Sequence, residues 1–146
     1  MNLIDTNGVS YIFDRQISLT EDYYLVPDVI EEVELAQLVH SQSIPVGISE
    51  IVVIDEFDEV LYLNHYKRML NIHGGRSFFN MTGFGDISIL ATIHTVLDMF
   101  TIQKIERLFD PTEQIVVFTD DSRLTRRVNT EFTGKNVEVK PVTDIK

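Results

Sequence analysis

The chain contains no cysteine, which excludes disulfide staples and thiolate metal sites and points to a reducing compartment. It also lacks any apolar run near the ~20 residues that a membrane-spanning helix needs. The expected setting is therefore soluble and cytoplasmic, with no membrane partner. The start, "MNLIDTNGV", does not read as a secretory leader, because Asp5 interrupts its apolar stretch and no basic segment precedes it. Basic residues are scarce: 12 Lys and Arg stand against 23 Asp and Glu, for a formal charge of -11. That balance argues against broad attraction to nucleic acid or to an anionic membrane surface. It still allows an acidic pocket that takes a divalent cation and engages phosphate through it. No repeat, low-complexity segment or interdomain linker is present, so residues 1-146 are expected to form one domain with its own core.

What the chain does have is a set of short apolar runs rich in β-branched residues: "NLI", "YYLVP", "EIVVI", "QIVVFT" and "NVEVK". Segments with helical periodicity fall between them, near residues 8–16, 28–41, 56–70, 86–100 and 121–130, with a further short helix near Ile102 to Leu108. Strands alternating with helices predict an α/β fold with a parallel sheet. "NIHGGRSFFNMTGFG", from Asn71 to Gly85, reads as a mobile loop rich in glycine and aromatics. Ligands of an open parallel sheet bind beyond the carboxyl ends of its strands. Asp5 ends the first run, and Asp120-Asp121 follow "IVVFT".

Helical geometry adds two more acids. At 100° per residue, Val29, Val33, Ala36 and His40 share one stripe, and Glu32 lies about 60° from Val29 among the core-facing positions. Glu31 and Glu34 fall on the opposite side. Counting by threes and fours from Asp86 reaches Leu90, Ile93, Leu97 and Phe100, so this carboxylate heads an apolar face. An ionised carboxylate aimed at a core is costly unless it is paired or binds metal.

Each of these acids has an ordinary explanation. Asp86 and Asp121 suit helix N-termini, Glu32 could pair with an arginine, and Asp5 could open an Asx turn. Convergence is the stronger signal, because an all-oxygen carboxylate cluster suits Mg²⁺ or Mn²⁺. Among the remaining features, "IDEFDE" reads as an exposed acidic helix start. His40, His65, His73 and His94 show no ligand spacing and read as structural or surface residues, although His73 beside Gly74-Gly75 could touch substrate. Arg123, Arg126 and Arg127 after Asp121, and Lys67, Arg68 and Arg76 around the glycine loop, are either phosphate contacts or solvated charge.

With these positions assembled, the chain resembles a PIN-domain nuclease. The resemblance runs through "LIDTN", "VPDVIEEVE", "GDISILATI" and "IVVFTDDSRL", in order and across nearly the whole chain. It implies a three-layer sandwich, with a central parallel sheet between helices, and an endoribonuclease that uses Mg²⁺ or Mn²⁺. It further implies that Asp5, Glu32, Asp86 and Asp121 are the catalytic metal ligands, with Thr119 and Asp121 filling the family's Thr-x-Asp pattern. Thr6, Asn7, Thr119 and Asp120 would stand around them, holding carboxylates or water. Arg123, Arg126 and Arg76 would contact RNA. Gly8 departs from the apolar residue usual after Asp-Thr-Asn, which bears on the local turn. Compact PIN domains often serve as toxins, so the expected partners are RNA, an antitoxin protein and a second copy of the chain. A PIN-like interaction module without nuclease activity is the alternative. A phosphatase using Asp5 as nucleophile is disfavoured, because Asn7 stands where that chemistry prefers a second Asp.

Overall fold

Leu3 and Ile4 are wholly buried, as the short, fully apolar strands of a parallel sheet require when both faces are covered. They belong to β1 (Asn2–Ile4), in a computed structural model that describes residues 1–40, 43–53, 57–77, 84–101 and 114–146. For residues 35–40, 53 and 74–77 it describes the backbone alone. The other strands are β2 (Tyr23–Leu25), β3 (Ile48–Glu50), β4 (Ile115–Phe118) and β5 (Val137–Lys140). The helices are α1 (Thr6–Arg15), α2 (Pro27–His40), α3 (Glu59–Ser77), α4 (Phe84–Thr101) and α5 (Ser122–Glu131). All strand pairs are parallel, in the order β3-β2-β1-β4-β5. The expected α/β architecture, a parallel sheet flanked by helices, is what the chain adopts.

Several boundaries differ from the sequence reading, each for a local reason. "EIVVI" pairs only as far as Glu50, and Ile51–Val53 form a 3-10 turn. Leu25, the partner of Glu50, is the last residue of β2, so the chain beyond Glu50 has no ladder to join. β2 stops because Pro27 opens α2, where its missing N–H costs nothing. The larger correction concerns Asn71 to Gly85. Asn71–Ser77 continue α3 as helix, and Phe84 and Gly85 already belong to α4; residues 78–83 lie outside the described residues. Gly74 and Gly75 each cost a helix about 1 kcal/mol relative to alanine, a cost that the long packing of α3 along α4 outweighs. The short helix expected near Ile102 to Leu108 also lies outside the described residues.

α4 is the central helix. From Gly85 to Ile93 every residue is buried, and Thr95, Val96 and Met99 continue the burial. Two of its buried hydroxyls are bonded, Thr95 donating to the Ala91 carbonyl at 2.7 Å and Ser88 Oγ lying 2.7 Å from the Tyr62 hydroxyl, while the buried Thr92 hydroxyl has no partner among the described residues. Gly8 also finds its reason in packing. A Cβ built there would stand 2.7 Å from Ile4 Cγ1 and 3.4 Å from Ile145 Cδ1, so only glycine lets α1 lie this close to β1 and the C-terminal turn. No described helix is long and apolar enough to cross a membrane.

Candidate functional site

The strand order reverses at β1. The chain adds β2 and β3 on one side of it, then returns to place β4 on the other. In open α/β sheets this reversal opens a crevice at the carboxyl ends of the two central strands. Ile4 is paired with Phe118, so the next residues on each strand, Asp5 and Thr119, emerge side by side at that crevice.

Both carboxylate oxygens of Asp5 are engaged. Oδ1 accepts the Thr6 backbone N–H at 2.8 Å, which caps α1. Oδ2 accepts the Thr119 hydroxyl at 2.9 Å. That hydroxyl also accepts the Asn7 side-chain amide at 3.2 Å and the Asp121 backbone N–H at 3.0 Å. Thr119 thus ties the start of α1, the end of β4 and the entry to α5 into one buried junction. Burial raises the Asp5 carboxyl above its ordinary pKa. The Thr6 and Thr119 bonds pull it down, and the charges of Glu32 and Asp121 push it up.

Asp121 caps α5, its Oδ1 accepting from the Arg123 and Leu124 backbone N–H groups at 2.7 and 3.1 Å. The helix-capping explanation therefore holds for part of its role, while its charge bears on both Asp5 and Asp86. Asp120 turns elsewhere: it is exposed, and its Oδ1 accepts from the Val142 backbone N–H at 3.1 Å, anchoring the C-terminal turn.

Asp86 is buried in the first turn of α4, as its helical position implied. Burial pushes its carboxyl up to about 6, against the opposing pull of Arg123 and Arg127 and with added push from Asp121 and Asp5. Arg127 Nη1 donates to Asp86 Oδ2 at 3.1 Å, and Arg123 Nε stands 3.5 Å from the same oxygen.

Glu32 needs a correction. Its helical angle placed it among core-facing positions, yet the residue is exposed. Val29, Ile30 and Val33 fill the buried side of the first turns of α2, and Glu32 stands at the exposed edge of that face. The carboxylate still turns toward the site: Oε2 accepts the Thr6 hydroxyl, and Oε1 would lie 3.4 Å from a Cβ at Gly85. A Cβ there would press on Val29 Cγ2 at 3.3 Å and only touch the carboxylate, which lies beside the start of α4. Of the expected RNA contacts, Arg123 faces Asp86, Arg126 is exposed on α5, and the Arg76 side chain lies outside the described residues.

No protein-family model, curated protein or solved structure matches this chain. What the site can do has to be read from its donors. They are carboxylates and threonine hydroxyls, the hard oxygen set that Mg²⁺ and Mn²⁺ prefer. Among the described residues, no three His, Cys, Asp or Glu side chains are grouped so as to hold a metal ion between them. Mg²⁺ does not require such a cage, because it keeps several waters and binds through one or two carboxylates plus substrate phosphate. Asp5 and Asp86, both held above their ordinary pKa largely by burial, are carboxyls that a cation would return to the ionised form. The residues fit such an ion.

Three features escaped the sequence reading. Asp28, one turn before Glu32, accepts the Tyr66 hydroxyl at 2.7 Å, and burial raises its pKa; its spacing of four from Glu32 was the available signal. Arg127 pairs with Asp86 across 41 positions. Three histidines without ligand spacing gather where α3, α4 and α5 meet. His94 lies 2.8 Å and His73 3.8 Å from Glu131, while His65 stacks on His94 and lies 2.7 Å from Asp98. Nothing along the chain signals either grouping.

Proposed function

We propose that the chain is a PIN-like endoribonuclease that hydrolyses RNA phosphodiester bonds with Mg²⁺ or Mn²⁺. One observation carries the proposal: Asp5 and Thr119 are joined at the reversal of strand order. The charges of Glu32 and Asp121 bear on Asp5, and those of Asp5 and Asp121 bear on Asp86. Of these four acids, one or two, with Asp5 and Asp86 foremost, would hold the cation alongside water and substrate phosphate, and the others would add negative charge around it. When bound, such an ion supplies a water of lowered pKa and offsets charge developing on phosphate oxygens. Thr119 keeps Asp5 Oδ2 oriented, and the Thr6 hydroxyl does the same for Glu32. Arg126 on the exposed face of α5 would meet the RNA backbone. With a net charge of -11, the substrate is a small structured RNA, or a partner brings the basic surface. A toxin paired with an antitoxin that covers the crevice is the biological role that fits this reading.

The test is cleavage of single-stranded and small hairpin RNAs by the purified protein with Mn²⁺, arrested by EDTA and abolished in Asp5→Asn, which keeps shape while removing charge. Undiminished cleavage by Asp5→Asn would assign the activity to another site or a contaminant. The pairing of Asp86 with two arginines favours one second reading, a PIN-like interaction module that cleaves nothing. Absence of both cleavage and Mn²⁺ uptake would select it.

A further inference from the structure

Two guanidinium groups converge on one oxygen of the acidic crevice. Arg127 Nη1 and Arg123 Nε lie 3.1 and 3.5 Å from Asp86 Oδ2. The two arginines are four positions apart, so they project from one stripe of α5. That helix is seated by buried Leu124 and Val128 and capped by Asp121, which fixes where the stripe points. These are not two equivalent surface charges. The Arg127 side chain is 18% exposed and Arg123 44%, while Asp86 between them is 8% exposed. A carboxylate this buried requires a positive partner, and the chain supplies one from its own helix.

We infer that Arg127, assisted by Arg123, is a tethered counter-cation of the crevice: it neutralises Asp86 in the metal-free protein, and a divalent ion enters by exchange against this guanidinium. The inference rests on the proposed cation site and adds the residue that sets its affinity. An ion that takes Asp86 Oδ2 displaces the guanidinium, since like charges repel strongly where water is scarce. The charge-assisted hydrogen bond is then broken, and the affinity of the site is lower by that amount. Once withdrawn, the guanidinium stands on the same helix as Arg126 and beside any phosphate that the ion engages.

The experiment is a Mn²⁺ titration of the full chain, followed by the paramagnetic resonance of the free ion, for wild type, Arg127→Gln and Arg126→Gln. Arg126 is the control: the same charge is removed one position away, from an exposed residue. Exchange is expected to tighten Mn²⁺ binding of Arg127→Gln about tenfold or more, the equivalent of one charge-assisted bond. Arg126→Gln should stay within about threefold of wild type, as screened surface charges do. Equal constants for the two variants, with uptake by all three proteins, would overturn the exchange and leave the cation site standing. No uptake by any of them would overturn the cation site and the inference together. Should Arg127→Gln fail to fold, Arg123→Gln carries the same comparison with a smaller gain, because that side chain is more exposed.

Discussion

Replacing Asp86 by asparagine in the metal-free protein should make it more stable, against the usual effect of altering a buried polar residue. The carboxyl is pushed from its ordinary 3.8 to about 6, so between those values the folded state binds more protons than the unfolded chain. Stability then falls as pH rises through this window, and the full penalty is present above about pH 6. A shift of about 2 units at about 1.4 kcal/mol each is on the order of 3 kcal/mol at neutral pH. Asparagine mimics the neutral carboxyl, keeps an oxygen for Arg127, and sets an amide near Arg123, which returns about 1 kcal/mol or more of the gain. The net is about 1–2 kcal/mol, or roughly 3–6 °C in Tm for a chain of this size. The assay is thermal melting in EDTA, monitored by circular dichroism, from pH 4 to pH 8. The variant should melt higher at pH 7.5, and the gap should close toward pH 4 as wild-type Asp86 takes up its proton. A lower Tm for the variant at pH 7.5, or a gap that does not change with pH, would show that the arginine pair outweighs burial and refute the reasoning. With Mn²⁺ added, the variant should gain less than wild type, since ligand-linked stabilisation follows affinity for the folded state.

The histidine grouping and the glycine of α1 make two further predictions. Burial holds His94 and His73 below the ordinary 6.5, the Glu131 carboxylate notwithstanding. The unfolded chain therefore takes up protons first as pH falls below 6.5, and stability should drop through that range. His94→Gln, which keeps a donor toward Glu131, should lose less stability than wild type between pH 7 and pH 5 in urea titrations; parallel losses would exclude His94 as a source. Gly8→Ala sets about 1 kcal/mol of helix propensity against about 1–3 kcal/mol of overpacking. With its Cβ 2.7 Å from the buried Ile4 side chain, the loss should dominate and lower the urea midpoint. A raised midpoint would show that α1 shifts freely.

The sequence by itself determined the elements and their local chemistry. β-branched runs between helical periods specify a parallel α/β sheet, because both signals are local: one arises from two-sided burial of a strand, the other from 3.6-residue periodicity. The placement of Asp5 and Asp121 at element junctions was legible for the same reason, since each caps the helix that follows it. Asp86 was legible as buried because an apolar stripe runs from it along α4. The tertiary structure decided which elements became neighbours. Only the return of β4 to the far side of β1 places Thr119 on Asp5, 114 positions away. Only the packing of α5 puts Arg127 on Asp86 and draws Glu131 to His94 and His73. Glu32 marks the boundary between the two: its angle on α2 turns it toward the site, but whether that direction meets core or solvent depends on what lies opposite, and there it finds the Thr6 hydroxyl and solvent. Periodicity states which face of an element is buried; the partner it meets there is a property of the packed chain.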